Sequence, residues 1–112
     1  MDEKNDARLP KPPRAYEEFV SRYPHLRAAW ESINDQGAEG PLDNKTQRLI
    51  KLAIAIGAMR QGAVHASARK GLALEITVEE LEQVVALSAG TMGLPACVAA
   101  FSWVHDEVRK QK

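Results

Sequence analysis

The side chain best suited to proton transfer is His65, set in the run Gly62-Ala63-Val64-His65-Ala66-Ser67. An imidazole has its unperturbed pKa closest to neutrality, so it can give or take a proton under ordinary conditions. Its neighbours Ala63, Val64, Ala66 and Ser67 are small and leave room for a ligand beside the ring. The same small residues also permit close helix packing, with the histidine hydrogen-bonded at an interface. Both readings stay open at this level. The single cysteine, Cys97, is a second candidate. It follows Pro95 in what should be the first turn of a helix, where free amides lower a thiol's pKa. Against this, Cys97, Phe101, Val104 and Val108 recur at helical spacing and predict a core stripe that contains the thiol.

Other chemistry finds little support. One cysteine leaves no internal disulfide and no Cys-rich metal site. His25 and His105 are far apart, and neither has a ligand-type residue four positions away to make a zinc pair. Glu79, Glu80 and Glu82 suit an acidic first helical turn, and Asp106 and Glu107 read as part of a polar C-terminal turn. The glycines are scattered, so there is no phosphate-cradling loop. No metal or cofactor is expected. Lys+Arg and Asp+Glu are equal at 15 each, so no global field draws nucleic acid or an anionic membrane, although a local patch is compatible with that balance. Residues 68–85 superficially read as a helix-turn-helix, but 78–90 hold three glutamates and no Lys or Arg, which a duplex would repel.

These residues must be positioned by helices. At 112 residues the chain fits one domain, read as residues 15–112, preceded by a polar arm over 1–14 with Pro10, Pro12 and Pro13. Tyr16, Phe19, Val20 and Tyr23 follow the helical template. Pro24 interrupts it, and Leu26, Trp30 and Ile33 resume it, predicting two short helices or one kinked helix. Asp35, Gly37 and Gly40-Pro41 predict a loop. Asp43 should N-cap a helix running through 49–59, and a further helix from about Ala63 carries His65, Ser67, Arg69 and Lys70. Thr77 and Glu80 form a capping box, with Ile76 and Leu81 as its hydrophobic staple. That helix ends at Gly90 and Gly93, and Pro95 opens a last helix with a basic end. No strand-like alternation competes, so the fold class is all-α. The polar N-terminus and the interruption of the longest apolar stretch by Lys51 and Arg60 predict no membrane span and a cytoplasmic protein. Residues 49–59 and 94–104 are apolar nearly all round, more than five short helices can cover, which predicts a homo-oligomer.

A longer pattern emerges from Leu42, Asp43, Lys45, Thr46, Leu49, Ile50, Leu52, Ala53 and Ala55, followed by Thr77, Glu79, Glu80, Leu81, Gly93, Pro95 and Ala96. In this order and spacing, these residues resemble the carboxymuconolactone decarboxylase-like (AhpD-like) family over roughly residues 41–104. The resemblance implies a bundle of five to six helices with a central helical hairpin, assembled as a trimer or hexamer. The family's peroxidase branch carries C-x-x-C-x-x-x-H and an upstream glutamate. Here the two cysteine positions fall on Arg60 and Ala63, the histidine on Ser67 and the glutamate on Arg48. A dithiol cycle needs an activated thiolate with a resolving thiol beside it, so peroxidase activity is not expected. The decarboxylase branch acts on a lactone and keeps a histidine where Ser67 stands. His65 lies two residues earlier, about 200° round a helix. If the protein is an enzyme, it is read as doing cofactor-independent, lyase-like or hydrolase-like acid–base chemistry on a small organic molecule at a subunit-interface pocket. The site residues would be His65 and Cys97, singled out from the residues themselves, and Ser67, at the position of the family's histidine. The alternative is a non-catalytic ligand-binding or structural oligomer of the same fold.

Overall fold

A computed structural model describes residues 13–111. The expected arm over 1–14 therefore lies almost wholly outside the described residues, and Arg14 already belongs to the first helix. Six α-helices follow in order: α1 (Arg14–Arg22), α2 (Pro24–Ala38), α3 (Asn44–Gly57), α4 (Gln61–Ala73), α5 (Val78–Met92) and α6 (Leu94–Lys110). The all-α expectation holds, with no strand among the described residues. Contacts divide the chain into two compact units, one within Lys11–Leu42 and one over Asp43–Lys112.

The first unit is a pair of helices. Pro24 occupies the first turn of α2, where its missing N–H leaves no bond unmade, so the chain forms two helices about Tyr23 rather than one kinked helix. The loop expected at Asp35 and Gly37 is a correction, because α2 continues through both to Ala38. A single helical glycine costs only about 1 kcal/mol relative to alanine, and a positive φ is not required until Gly40, at 144°. Arg27 donates to Glu17 at 3.1 Å, joining the two helices. Within them only Val20 is buried, while Phe19, Tyr23, Leu26, Trp30 and Ile33 remain half exposed or more.

In the second unit, α3 packs on α4 and α5, and α6 packs on the same two helices. Asp43 caps α3 by accepting from the Thr46 amide at 2.8 Å. The turn into α4 passes through Met59 at φ 52°, and the Arg60 amide donates back to the Ala55 carbonyl at 3.0 Å. That closure lets α4 begin at Gln61, two residues before the expected Ala63. The α5 capping box is complete: the Thr77 amide donates to Glu80 Oε1 at 2.9 Å, and the Glu80 amide donates to Thr77 Oγ1 at 3.1 Å. Lys45 pairs with the same Glu80 carboxylate at 2.5 Å and so ties the start of α3 to the start of α5. The staple residues Ile76 and Leu81 are both buried. They come within 3.4 and 3.6 Å of the position a Cβ on Gly71 would take, so the glycine lets α4 pass close beneath them. Gly90 does not end α5, which continues to Met92, whereas Gly93 at φ 84° turns the chain directly into α6.

The core draws Leu52 and Ile56 from α3, Val64 and Ala68 from α4, Leu81 and Val85 from α5, and Ala100 and Val104 from α6. Phe101 is a second correction. It is 44% exposed, because the buried arc of α6 is rotated toward Ala100 and Glu107 and leaves the ring at its rim. There it stacks against His105 with ring centroids 4.3 Å apart. Within the apolar stretches 49–59 and 94–104, Ile50, Ile54, Met59, Leu94 and Val98 also stay exposed.

Removing the Thr77 hydroxyl strands an amide at the start of α5. Thr77→Ala should lower the unfolding free energy by about 0.5–2 kcal/mol in urea titrations. An unchanged midpoint would mean that the box contributes nothing to this helix.

Candidate functional site

The site starts from a carboxylate in the wrong place. Glu107 lies on the inward arc of α6 with a side-chain exposure of 1%, one turn from Val104 and beside Val108. Burial alone pushes its carboxyl upward. Hydrogen bonds from His65 and Lys110, together with the nearby Arg69 charge, outweigh that and hold Glu107 below the ordinary glutamate range. His65 Nδ1 lies 2.7 Å from Glu107 Oε2, Lys110 Nζ donates to the same oxygen at 3.1 Å, and Arg69 Nη1 stands 3.8 Å from Oε1.

Two helices supply this group in helical register. His65 and Arg69 are four residues apart on α4, and Glu107 and Lys110 are three apart on α6, so each pair shares a face. An ionised carboxylate can only accept, so the 2.7 Å contact requires the proton on Nδ1. The neutral ring then presents its lone pair at Nε2. That nitrogen is 3.9 Å from Asp106 Oδ2, and the histidine keeps 19% of its side chain exposed. Taking a proton there would place the resulting imidazolium between two carboxylates. Such an arrangement fits a general base that returns its proton as an acid.

The structure brings His65 together with Glu107, Asp106 and Arg69. Ser67 is partly buried on α4 and, two residues on, points about 200° away from His65. Cys97 is buried between α5 and α6, where its thiol donates to the Val85 carbonyl at 3.3 Å. Neither residue enters the hydrogen bonds or ion pairs of the His65 group among the described residues. Asp106 and Glu107 were absent from the sequence-based site, having been read as a polar helix end. The signal was there: Glu107 shares the buried arc of Ala100, Val104 and Val108. His105, also missed, pairs with Glu82 at 2.6 Å and joins α6 to α5. Among the described residues, no group of three or more His, Cys, Asp or Glu side chains is arranged to hold a metal ion.

Residues 24–106 match the family model described as the carboxymuconolactone decarboxylase family. The chain belongs to the carboxymuconolactone decarboxylase family. The matched region includes α2 to α5 and most of α6, so membership of the carboxymuconolactone decarboxylase family reaches further toward the N-terminus than residues 41–104 alone suggest. No curated protein matches the sequence.

Glu107→Gln keeps the shape but removes the charge that Lys110, Arg69 and the His65 N–H face. At neutral pH it should cost about 1.5–3 kcal/mol of stability in urea unfolding. The folded pKa of Glu107 is depressed, so its stabilising contribution is present above its unfolded pKa and is lost as pH falls through the folded value. The gap between wild type and variant should therefore close in acid. A gap that is equal at neutral and strongly acidic pH would contradict an ionised Glu107.

Proposed function

We propose that this carboxymuconolactone decarboxylase family protein performs cofactor-independent acid–base chemistry on a small organic molecule. His65 Nε2 takes up the substrate proton and returns it, and Glu107 is the positioning residue behind the ring. The carrying observation is the 2.7 Å contact between a partly exposed imidazole and a carboxylate that is 1% exposed yet held ionised. A base so placed suits lyase-like or hydrolase-like steps that remove a proton beside a carbonyl and return it later.

The working protein is a homo-oligomer in this reading, a trimer or hexamer, with the small-molecule pocket completed at a subunit interface. Exposed Ile54, Leu87, Leu94 and Val98, each above half exposure, support this, because a neighbouring copy would remove them from water. The family match over residues 24–106 runs from α2 through most of α6, which supports reading residues 15–112 as one functional domain although contacts divide them into two compact units. No helix among the described residues is long and apolar enough to cross a membrane. The unpaired, buried Cys97 suits a reducing cytoplasm.

The competing reading is a non-catalytic oligomer in which His65 serves packing. It draws on one observation: Glu107 also gathers Lys110 and Arg69, as a purely structural clamp would. Deuterium exchange at acidic C–H positions of a panel of lactones and oxo acids, followed by proton NMR, separates the two. Wild type should accelerate exchange on part of the panel. His65→Gln should lose about 10²–10⁴-fold of that rate while keeping its melting temperature within a few degrees. Val98→Asp, if it sediments as a monomer, should lose the activity along with the interface. Exchange by His65→Gln at the wild-type rate, or no acceleration by wild type on any member, would favour the clamp.

A further inference from the structure

His65 and Arg69 lie one turn apart on α4, and both reach the buried carboxylate of Glu107 on α6. The ring meets one oxygen, with Nδ1 2.7 Å from Oε2, and the guanidinium faces the other, with Nη1 3.8 Å from Oε1. At that length Arg69 makes no hydrogen bond to Glu107, and it makes none elsewhere among the described residues. Its Nε is buried without a partner, whereas Nη1 and Nη2, equally unbonded, are not buried and open to solvent. His65 Nε2 is in the same situation: unbonded, not buried, and 3.9 Å from Asp106 Oδ2. Glu107 thus holds side by side a ring with a free acceptor and a guanidinium with free donors.

The local charges leave Arg69 in excess. Lys110 Nζ stands 3.1 Å from Glu107 Oε2, and Arg109 Nη2 stands 2.7 Å from Asp106 Oδ1, so each carboxylate has its own cation on α6. With the imidazole neutral, Arg69 brings one positive charge more than these carboxylates match. It is also the least screened of the three cations, at 23% exposure against 66% for Lys110 and for Arg109. Four residues along a helix separate the two side chains by about 6 Å. A carbonyl compound spans that gap, with an acidic C–H at Nε2 and, two bonds away, an oxygen about 2.9 Å from a guanidinium nitrogen.

We propose that Arg69 is a second catalytic residue of this site, holding the substrate's carbonyl oxygen while His65 Nε2 removes the proton from the neighbouring carbon. The inference rests on the acid–base role of His65. As the C–H bond breaks, the proton goes to Nε2 and its electron pair forms the C=C bond of an enolate, whose charge gathers on the oxygen. The guanidinium presents planar, permanently charged donors to that oxygen, and the step reverses when the imidazolium returns the proton. The substrates are thereby narrowed to compounds with a C–H next to a carbonyl, and the excess charge favours anionic ones.

Oxalate, a planar dianion that resembles such an enolate, probes the donor apart from the chemistry. Calorimetric titration of the full chain in its native assembly, at about 0.15 M ionic strength, should show saturable binding at one site per chain. Arg69→Gln should weaken it about tenfold or more, whereas Lys110→Gln, which takes an equal charge from the same carboxylate, should change it about twofold at most. In the deuterium-exchange assay, Arg69→Gln should lose about 10²-fold or more of the wild-type rate. Arg69→Lys keeps a cation facing Glu107 and so guards against a folding defect. It should melt within a few degrees of wild type yet exchange about tenfold slower or worse. Exchange that depends on His65 but runs at the wild-type rate in both Arg69 variants would overturn the role of Arg69 and leave the base in place. No exchange by wild type on any member of the panel would remove both. Oxalate that fails to saturate in the millimolar range, or that Lys110→Gln weakens as much as Arg69→Gln does, would also overturn it.

Discussion

A carboxylate taken out of water must be matched by donors and cations, and Glu107 imposes that requirement on the interface between α4 and α6. Its idealised desolvation cost runs to many kcal/mol, and an effective cost of several survives in real proteins. The compensation comes from His65 and Arg69 on one helix and Lys110 on the other. Both hydrogen bonds go to Oε2, while buried Oε1 meets only the Arg69 charge at 3.8 Å, and this arrangement couples the rotation of α6 against α4 to the bearing of the imidazole. The rest of the second unit, α3 and α5 with their capped starts, closes the apolar core around this polar seam.

Packing alone does not call for a charge at residue 107. A leucine-sized side chain would suit the arc shared with Ala100, Val104 and Val108, and replacing buried ion pairs by apolar residues is often neutral or stabilising. What the glutamate adds is directional: it selects Nδ1 of the His65 ring as the donor and leaves Nε2 as the free acceptor. In the proposed reading, the seam that holds the two helices together also prepares an acid–base group.

Much of the fold was legible because its decisive features are local. Asp43, Pro24, Thr77 with Glu80, and Gly93 act within one turn of their own helix, and each sits where its chemistry predicts. Features that depend on tertiary surroundings are less legible in the sequence. Gly37 looked like a breaker, yet the cost of one helical glycine did not stop α2. Phe101 matched the spacing of a core stripe, but spacing cannot tell which edge of the arc faces the bundle. Glu107 was hidden by its neighbours, because a run of charges at a helix end reads as solvated unless each residue is placed on the wheel.

The proton-transfer role proposed for His65 depends on which ring nitrogen carries the proton in the neutral imidazole. Two-bond 1H–15N correlation spectra of the histidine rings, recorded where His65 is neutral, report this directly. The Glu107 contact predicts a proton on Nδ1 and a bare Nε2, with the preference weakened in Glu107→Gln. A neutral ring protonated at Nε2, with Nδ1 bare in both proteins, would contradict the ionised carboxylate and the proton acceptor assigned to Nε2.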